Sequence, residues 1–267
     1  MKRAVQVADL FDIALRAGQD IMAVYAKDFN VEYKGDDSPL TLADKKSHLV
    51  ISEGLAKHYP ELPILSEEGR AIPYEERKDW EQFWLVDPLD GTKEFIKKND
   101  EFTVNIALIE NGFPTLGVIY APALDVFYFG IQGKGAFKLV EASKNEVSSD
   151  HELIAKSRPL PEVKNQDVLN VVASRSHMSE ETQAFIDELK KENTVDVVSS
   201  GSSLKFCLVA EGKADYYPRY APTMEWDTAA GQAIVEAAGG TVTRYEDQQR
   251  FYYNRENLLN GWFLAKR

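Results

Sequence analysis

The residues with the clearest chemical potential lie at 87–92, where the sequence reads Asp-Pro-Leu-Asp-Gly-Thr. An apolar run directly before them predicts a buried strand that ends at Asp87. Pro88 restricts the backbone, and Gly91 permits a sharp turn. The carboxylates of Asp87 and Asp90 can therefore point towards one place, where like charges resist joint ionisation unless a cation lies between them. Hard oxygen ligands of this kind suit Mg²⁺.

Turn preference alone also explains Asp-Pro and Asp-Gly pairs, so this segment by itself leaves an ordinary turn open. Two further acidic positions favour a metal site. Glu67 and Glu68 follow a short apolar strand, and Asp227 opens a predicted helix. Asp227 is also explained as an N-cap, and Asp44 as the partner of Thr41 in a capping-box-like start. Capping does not exclude catalysis, because helix N-termini stabilise anions.

One rival phosphatase chemistry can be tested on the sequence. Some phosphatases use an Asp-x-Asp-Gly-Thr motif whose first aspartate is phosphorylated covalently. In this chain the position two before Asp90 is Pro88, so that nucleophile is missing. An attack by metal-activated water is the better interpretation.

The elements of the first half mix helices and strands. Apolar residues at helical spacing predict one helix within 3–27 and a second from Thr41 to about His58. From Phe102 the pattern becomes that of strands and predicts two hairpins, the first around an Asn-Gly turn. The first half therefore has an α+β character and carries most of the acidic positions.

The polar stretch from Glu141 to Asp150 loses all periodicity and predicts a boundary between an N-terminal half, 1–145, and a C-terminal half, 146–267. Helices and strands alternate in the second half, so the whole chain is predicted to be mixed α/β. The predicted second-half elements are strands at 168–173, 195–199, 214–217 and 241–243, and helices at 179–190, 203–211 and 228–238.

The composition and net charge of the chain limit the partners that it can bind. The chain has 267 residues, of which 44% are hydrophobic, so it can bury a sizeable core. Its 43 acidic and 31 basic residues give a net charge of −12, which disfavours binding to a nucleic-acid polymer. An anionic substrate would need a local reversal of this field, which bound divalent cations provide.

The single cysteine and the apolar segments bear on the compartment. Cys207 lies in an apolar run and is predicted to be a buried, inert thiol. The N-terminus does not read as a signal peptide, and no segment is long and apolar enough to span a bilayer. The expected location is the cytoplasm, with a peripheral position at the inner membrane as an alternative.

With these residues assembled, the chain resembles the inositol monophosphatase superfamily of Mg²⁺-dependent, lithium-sensitive phosphatases. The matching segments are Ser-Glu-Glu at 66–68, Asp-Pro-Leu-Asp-Gly-Thr at 87–92 and Trp-Asp-Thr-Ala-Ala-Gly at 226–231, in the family's order. The resemblance implies a layered α/β/α/β/α sandwich, which agrees with the predicted elements.

Within that superfamily the chain looks most like the CysQ-type 3′(2′),5′-bisphosphate nucleotidases. The similar segments are 91–96, 101–109 and 201–210, and inositol monophosphatases usually carry Asn where Lys93 stands here. This resemblance implies hydrolysis of adenosine 3′,5′-bisphosphate to AMP and phosphate, and a place in sulfur assimilation.

The resemblance also implies roles for individual residues. Thr92 and Asp44 match the pair that orients and deprotonates the attacking water, and the loop at 36–39 should approach the site. Backbone N–H groups near Gly91 and Thr92 would meet the developing charge on phosphate. The implied ligands of two or three Mg²⁺ ions are the side chains of Glu67, Asp87, Asp90 and Asp227 and the carbonyl oxygen of Leu89. The sequence alone leaves Glu68 as an alternative to Glu67.

A second phosphate on the substrate would need cationic contacts away from the metals, because burying it unpaired is costly. Lys205 and Arg219 are the candidates, with Ser202 as a hydrogen-bond donor and His177 as a further contact to the nucleotide. Each has an ordinary alternative. Lys205 fits the exposed face of a helix, and Arg219 and His177 fit surface loops.

Three other functions stay open. An inositol monophosphatase would keep the mechanism and change the substrate, and phosphosulfates are further candidate substrates. A metal-dependent binding protein without catalysis is a third reading, which the joint presence of Asp44, Thr92 and the four acidic positions disfavours. The expected partner is a small phosphorylated metabolite, and the sequence does not determine the oligomeric state.

Overall fold

The computed structural model describes residues 4–27, 39–162, 168–173 and 178–267, and residues 39 and 40 by their backbone alone. Within these ranges the chain forms eight α-helices, twelve β-strands and two short 3₁₀ turns. The helices are α1 (Val7–Tyr25), α2 (Pro39–His58), α3 (Tyr74–Arg77), α4 (Thr92–Lys97), α5 (Asp150–Lys156), α6 (Glu180–Leu189), α7 (Leu204–Glu211) and α8 (Ala229–Ala237).

The strands form two sheets. The first sheet has its seven strands in chain order, with β1 parallel to β2 and all later neighbours antiparallel. Its strands are β1 (Ile64–Ser66), β2 (Gln82–Asp90), β3 (Thr103–Glu110), β4 (Phe113–Ala121), β5 (Val126–Ile131), β6 (Gly135–Val140) and β7 (Arg158–Leu160).

The second sheet has the order β11-β12-β10-β8-β9. The strand β8 is parallel to both of its neighbours, and β12 is antiparallel to both of its own. Its strands are β8 (Leu169–Ala173), β9 (Val195–Ser199), β10 (Tyr216–Arg219), β11 (Thr241–Arg244) and β12 (Phe263–Lys266).

The sheets and helices stack in five layers. Helices α1 and α2 cover one face of the first sheet, and α7 and α8 lie between the two sheets. The ring of Phe185 in α6 contacts Tyr216, whereas Phe206 in α7 contacts Tyr217. Because neighbouring residues of a strand point to opposite faces, α6 and α7 cover opposite faces of the second sheet. The predicted α/β/α/β/α sandwich is confirmed.

Helix α8 lies directly against the first sheet because the facing strand positions are glycines. A Cβ atom on Gly117 would lie 2.5 Å from the carbonyl oxygen of Ala230. A Cβ atom on Gly130 would lie 2.6 Å from the Cα of Ile234. Such approaches are shorter than van der Waals contact, so only glycine fits there. The close packing brings the turn before α8, which carries Asp227, towards the end of β2.

Several element boundaries differ from the predictions. The strand predicted to end at Asp87 continues to Asp90, with a register shift between these two residues against β3. Helix α2 begins at Pro39, so Thr41 does not cap it, and the N-cap of α8 is Thr228 rather than Asp227. These end positions depend on bulge and loop geometry that periodicity does not describe. The prediction also missed α3, α4, α5, β7 and β12, and placed β10 at 214–217.

The first sheet extends past the predicted boundary between the halves. Strand β7 pairs with β6, so the change from one sheet to the other falls between Leu160 and Leu169. Sheet membership does not define a folding unit. The division into 1–145 and 146–267 therefore stays a prediction.

Two predictions from composition can be compared with the fold. Cys207 is buried in α7, as predicted. Burial holds the pKa of its thiol well above the usual range. Among the residues that the structure describes, no helix combines the length and apolar character needed to cross a membrane.

Candidate metal centre and active site

Three carboxylates converge at one end of the first sheet. Glu67, Asp87 and Asp227 each offer an oxygen, and these oxygens lie within 4.8 Å of one another. Glu67 directly follows β1, whose pairing with β2 is continued by a hydrogen bond from the Glu67 N–H to the Val86 carbonyl oxygen. Parallel strand pairing therefore places Glu67 beside Asp87, although the two are separated by 20 positions in the chain.

The backbone between Asp87 and Asp90 is held in a bulge. The N–H of Leu89 donates to Asp87 Oδ1 at 3.0 Å, and Ser47 Oγ in α2 donates to the Pro88 carbonyl oxygen at 2.7 Å. Pro88 has no N–H to contribute to a sheet ladder, and a bulge is where an interior strand tolerates it. The bulge re-aims the two aspartate side chains relative to a regular strand.

Asp227 is fixed by a separate set of contacts. It ends a 3₁₀ turn, Glu225–Asp227, and its Oδ2 accepts a hydrogen bond from the Met224 N–H at 2.7 Å. The side-chain amide of Asn260 donates to the Met224 carbonyl oxygen at 2.7 Å. The fully buried Glu225 accepts hydrogen bonds from the backbone N–H and the side chain of Arg255. The chain near residue 260 thus holds the turn that presents Asp227.

A cavity of about 400 Å³ lies over these carboxylates. Helix α2 contributes Asp44, which is buried, and the start of α4 contributes Thr92, which is exposed. Gly91 adopts a positive φ of 94°, a conformation that favours glycine and turns the chain from β2 into α4. The predicted catalytic and metal-binding residues at this cavity are Asp44, Glu67, Asp87, Leu89, Asp90, Gly91, Thr92 and Asp227.

The charges at this cavity repel one another. Burial, with repulsion from Glu68 and Glu67, raises the pKa of Asp44 to about 8. Burial, followed by repulsion from Asp90, raises the pKa of Asp227 to about 7 and holds that of Asp87 well above its usual range. A buried group of carboxylates with raised pKa values is stabilised by hard cations, so the donor set fits Mg²⁺.

Asp90 lies beside the three converging carboxylates and differs from them in its hydrogen bonds and in the nearby positive charge. Its Oδ2 accepts hydrogen bonds from the Ser203 N–H at 2.6 Å and from Asn105 Nδ2 at 3.4 Å. Burial raises the pKa of Asp90, and the positive charge of Lys205 opposes this effect. Asp90 is therefore shared between the acidic cavity and a neighbouring region that carries positive charge.

That region is a second pocket, which shares Asp90, Gly91, Thr92 and Asp227 with the acidic cavity. Lys205 lies in it and is 6% exposed, so it does not occupy an exposed helix face. Its Nζ donates to the Ser202 carbonyl oxygen at 2.6 Å, and burial lowers its pKa to about 8.

Arg219 lines the same pocket from the end of β10 rather than from a loop. Its Nη2 donates to the Pro222 carbonyl oxygen at 3.1 Å. Its Nε is buried and has no hydrogen-bond partner among the described residues. A buried N–H without a partner is unfavourable, so an acceptor from a bound ligand would stabilise it.

The structure brings together all predicted site residues that it describes, including Ser202 at the basic pocket. His177 and residues 36–38 lie outside the described residues. The sequence reasoning missed Asn105 and Ser203, which hold Asp90. A signal was present, since Asn105 is an amide side chain between the apolar residues Val104 and Ile106 and must find a partner when buried.

A larger cavity, of about 560 Å³, lies at the far end of α8. Its charged residues, Glu236 and Arg250, pair with each other at 2.6 Å. Among the described residues that line it, Glu236 carries the only carboxylate. This cavity therefore lacks the chemistry of the acidic one.

Comparison with known sequences agrees with these features. The profile of the Inositol monophosphatase family matches residues 4–266. The 3′(2′),5′-bisphosphate nucleotidase CysQ of Salmonella typhimurium is 47% identical over 253 residues, which are 94% of this chain and 95% of that protein. The CysQ of Escherichia coli K12 is 45% identical with the same two coverages.

Solved structures show the same likeness. The crystal structure of CysQ from Bacteroides thetaiotaomicron, a bacterial member of the inositol monophosphatase family, is 47% identical, with a TM-score of 0.90 over 98% of this chain and 97% of that one. An inositol monophosphatase from Anabaena (Nostoc) is 27% identical, with a TM-score of 0.68 over 97% and 88% of the two chains. This chain belongs to the inositol monophosphatase family.

Proposed function

We propose that this protein is a Mg²⁺-dependent 3′(2′),5′-bisphosphate nucleotidase that hydrolyses adenosine 3′,5′-bisphosphate to AMP and phosphate. The observation that carries the proposal is the junction of an acidic cavity with a basic pocket along Asp90, Gly91, Thr92 and Asp227. A substrate with two phosphates could place one at each. The CysQ relatives that are 45–47% identical support the same substrate.

The acidic cavity would hold the metal ions. Glu67, Asp87 and Asp227 are spaced to share one cation, and Asp90 and the carbonyl oxygen of Leu89 would complete the coordination of two or three. Bound Mg²⁺ would make a water molecule more acidic and neutralise the charge that develops on the transferred phosphoryl group.

The remaining steps would belong to side chains of this protein. Thr92 would orient the attacking water through its hydroxyl group, and Asp44 would accept the proton. Asp44 suits this role by its position, because it is a buried carboxyl group that lines the acidic cavity together with Thr92. Backbone N–H groups at Gly91 and Thr92 would donate to the phosphate oxygens.

The second phosphate would lie in the basic pocket. Lys205 and Arg219 would neutralise it, and Ser202 would donate a hydrogen bond. The unpartnered Nε of Arg219 supports an anionic ligand there. An anion would also favour the charged form of Lys205, whose pKa burial lowers to about 8. A contact from His177 to the nucleotide stays a prediction.

The test is phosphate release from adenosine 3′,5′-bisphosphate and from inositol 1-phosphate, each with Mg²⁺, with EDTA and with added lithium. We expect rapid, Mg²⁺-dependent and lithium-sensitive release from the nucleotide and slow release from inositol 1-phosphate. Preference for inositol 1-phosphate would overturn the role of the basic pocket. Absence of release from either substrate would favour a binding protein. Assignment to sulfur assimilation depends on the nucleotide result.

A further inference from the structure

A chain of buried hydrogen bonds ends at Asp90. Asn105 Oδ1 accepts from Ser203 Oγ at 2.8 Å, and Ser203 Oγ lies 2.7 Å from Thr103 Oγ1. Asp90 Oδ2 accepts from Asn105 Nδ2 at 3.4 Å and from the Ser203 N–H at 2.6 Å. Thr103, Asn105 and Ser203 are at most 2% exposed, so water does not compete for these bonds.

The direction of each bond follows from the donors available. Ser203 has one hydroxyl hydrogen and gives it to Asn105, so Thr103 must donate to Ser203. The Asn105 amide then has its oxygen towards Ser203 and its NH₂ towards Asp90. All three side chains are aligned to donate towards the carboxylate, and aligned donors of this kind polarise and strengthen one another.

The chain joins three elements. Thr103 and Asn105 lie on one face of β3, where they pair in register with Asp90 and Asp87 of β2. Ser203 directly precedes α7 and is 113 positions from Asp90 in the sequence. Its neighbours Ser202 and Lys205 line the basic pocket. The same hydrogen bonds therefore connect Asp90, a proposed metal ligand, to the segment before α7 that is proposed to bind the second phosphate.

The geometry points to Asn105 and Ser203 as positioning residues that hold Asp90 for metal binding. Both hydrogen bonds accepted by Asp90 among the described residues are at Oδ2, which leaves Oδ1 for the acidic cavity that Asp90 lines. Through Ser203, this arrangement also fixes the start of α7 relative to the metal site. The part concerning the metal rests on the proposed role of Asp90 as a metal ligand, and the part concerning the second phosphate rests on the proposed substrate.

The first test is Asn105→Ala, with Mn²⁺ binding followed by electron paramagnetic resonance in the absence of substrate. Removing a hydrogen-bond partner of a metal ligand weakens metal binding by about 10- to 100-fold, and we expect a loss in that range. Ser203→Ala keeps the backbone donor and should weaken Mn²⁺ binding less. It also serves as the second variant if Asn105→Ala does not fold. A raised Mg²⁺ concentration should restore the activity of both variants, which a general structural defect would not allow.

The matched control is Val104→Ala. Val104 lies between Thr103 and Asn105 on β3, is fully buried, and points into the core on the other face of the sheet. The Val104→Ala substitution should lower the thermal stability of the protein and leave its Mn²⁺ affinity unchanged. The inference would be overturned if Asn105→Ala and Ser203→Ala both bind Mn²⁺ as tightly as the wild type while Asp90→Asn loses Mn²⁺ affinity. Mn²⁺ binding without nucleotide hydrolysis would refute only the proposed function.

Discussion

Two groups of buried charge lie at opposite ends of α7 and differ in how they are compensated. At the end of α7, Glu211 is 1% exposed, yet Lys138 Nζ lies 2.7 Å from it, Lys213 Nζ lies 2.5 Å from it, and Tyr128 donates a hydrogen bond at 2.6 Å. Burial alone would raise the pKa of Glu211, but these three partners outweigh it and leave the pKa below its usual value.

At the acidic cavity, no ion pair within the described part of the chain joins Glu67, Asp87 or Asp227 to a lysine or arginine. Glu67, Asp87 and Asp227 converge on one point, and their pKa values are raised by burial and then by repulsion, chiefly from Asp90. A buried carboxylate that is neutralised by side chains needs no ligand, whereas an uncompensated group of carboxylates is stabilised by one. The contrast separates a structural ion-pair cluster from a functional site on physical grounds.

The largest effect is expected for Asp90→Asn, which removes charge where we propose that a metal binds. Because metal ions contribute several kcal/mol to transition-state stabilisation, kcat/KM should fall by about 1000-fold or more. Steady-state phosphate release with Mg²⁺ measures this fall in kcat/KM, and circular dichroism should show that the Asp90→Asn variant is folded. Near-normal turnover would contradict the metal assignment of Asp90.

The same chemical change at the other cluster should have the opposite outcome. Glu211→Gln removes the negative charge that pairs with Lys138 and Lys213, and breaking a buried ion pair in this way should lower the free energy of unfolding by about 3 kcal/mol. Urea unfolding measures this loss, and kcat per folded molecule should stay near that of the wild type. Loss of turnover without loss of stability would show that the Glu211 cluster is not merely structural.

A third variant, Lys205→Met, removes the cation beside Asp90. A hydrogen bond from a charged donor is worth about 1.5–3 kcal/mol, so KM for adenosine 3′,5′-bisphosphate should rise by about 10- to 100-fold. Hydrolysis of inositol 1-phosphate, which lacks a second phosphate, should change little. Lys213→Met, at the Glu211 cluster, is the matched control and should leave KM unchanged. An unchanged KM in Lys205→Met would remove Lys205 from the substrate site.

The smallest effect concerns pH and stability in EDTA. The pKa values of Asp44 and Asp227 are raised to about 8 and about 7, above the ordinary value near 3.8. Between pH 4 and pH 8 the folded protein therefore binds more protons than the unfolded chain, so stability should fall as the pH rises. A net change of about 1 kcal/mol would lower the Tm by roughly 2–4 °C.

Added Mg²⁺ should reduce this pH dependence, because the cation stabilises the ionised carboxylates. Differential scanning calorimetry at pH 6 and pH 8, with EDTA or with Mg²⁺, checks both statements. A Tm that rises with pH in EDTA would contradict the assignment of the raised pKa values. Glu211 acts in the opposite sense, since its lowered pKa adds stability that is lost only as the solution becomes strongly acidic.

Much of the fold could be predicted where sequence and local structure agree. Helix α1, the Asn111-Gly112 hairpin and strand β9 match the predicted segments. Asn111 and Gly112 both have positive φ, as a tight hairpin turn requires. The missed elements are short or lie at a sheet edge, and β12 is defined by its pairing with β10 and β11 rather than by its own pattern.

The sequence by itself determined which chemical groups are available, and in which order. The motif at 87–92, Glu67 and Asp227 could be identified because carboxylates beside turns and helix starts have few purely structural explanations once three occur together. Cys207 could be placed in the core, since it lies within an apolar run. These properties depend on residue type and spacing, which are local.

Only the tertiary structure decided which charges are compensated. Glu211 reaches Lys138 across 73 positions, and Asp90 reaches the Ser203 N–H across 113. The sequence did not show that Glu211 would be buried and paired with lysines, nor that the carboxylates facing Asp87 would lack such partners. The physical reason is that the pKa of a buried group depends on its distances to other charges and on its hydration, and both are set by packing between distant segments.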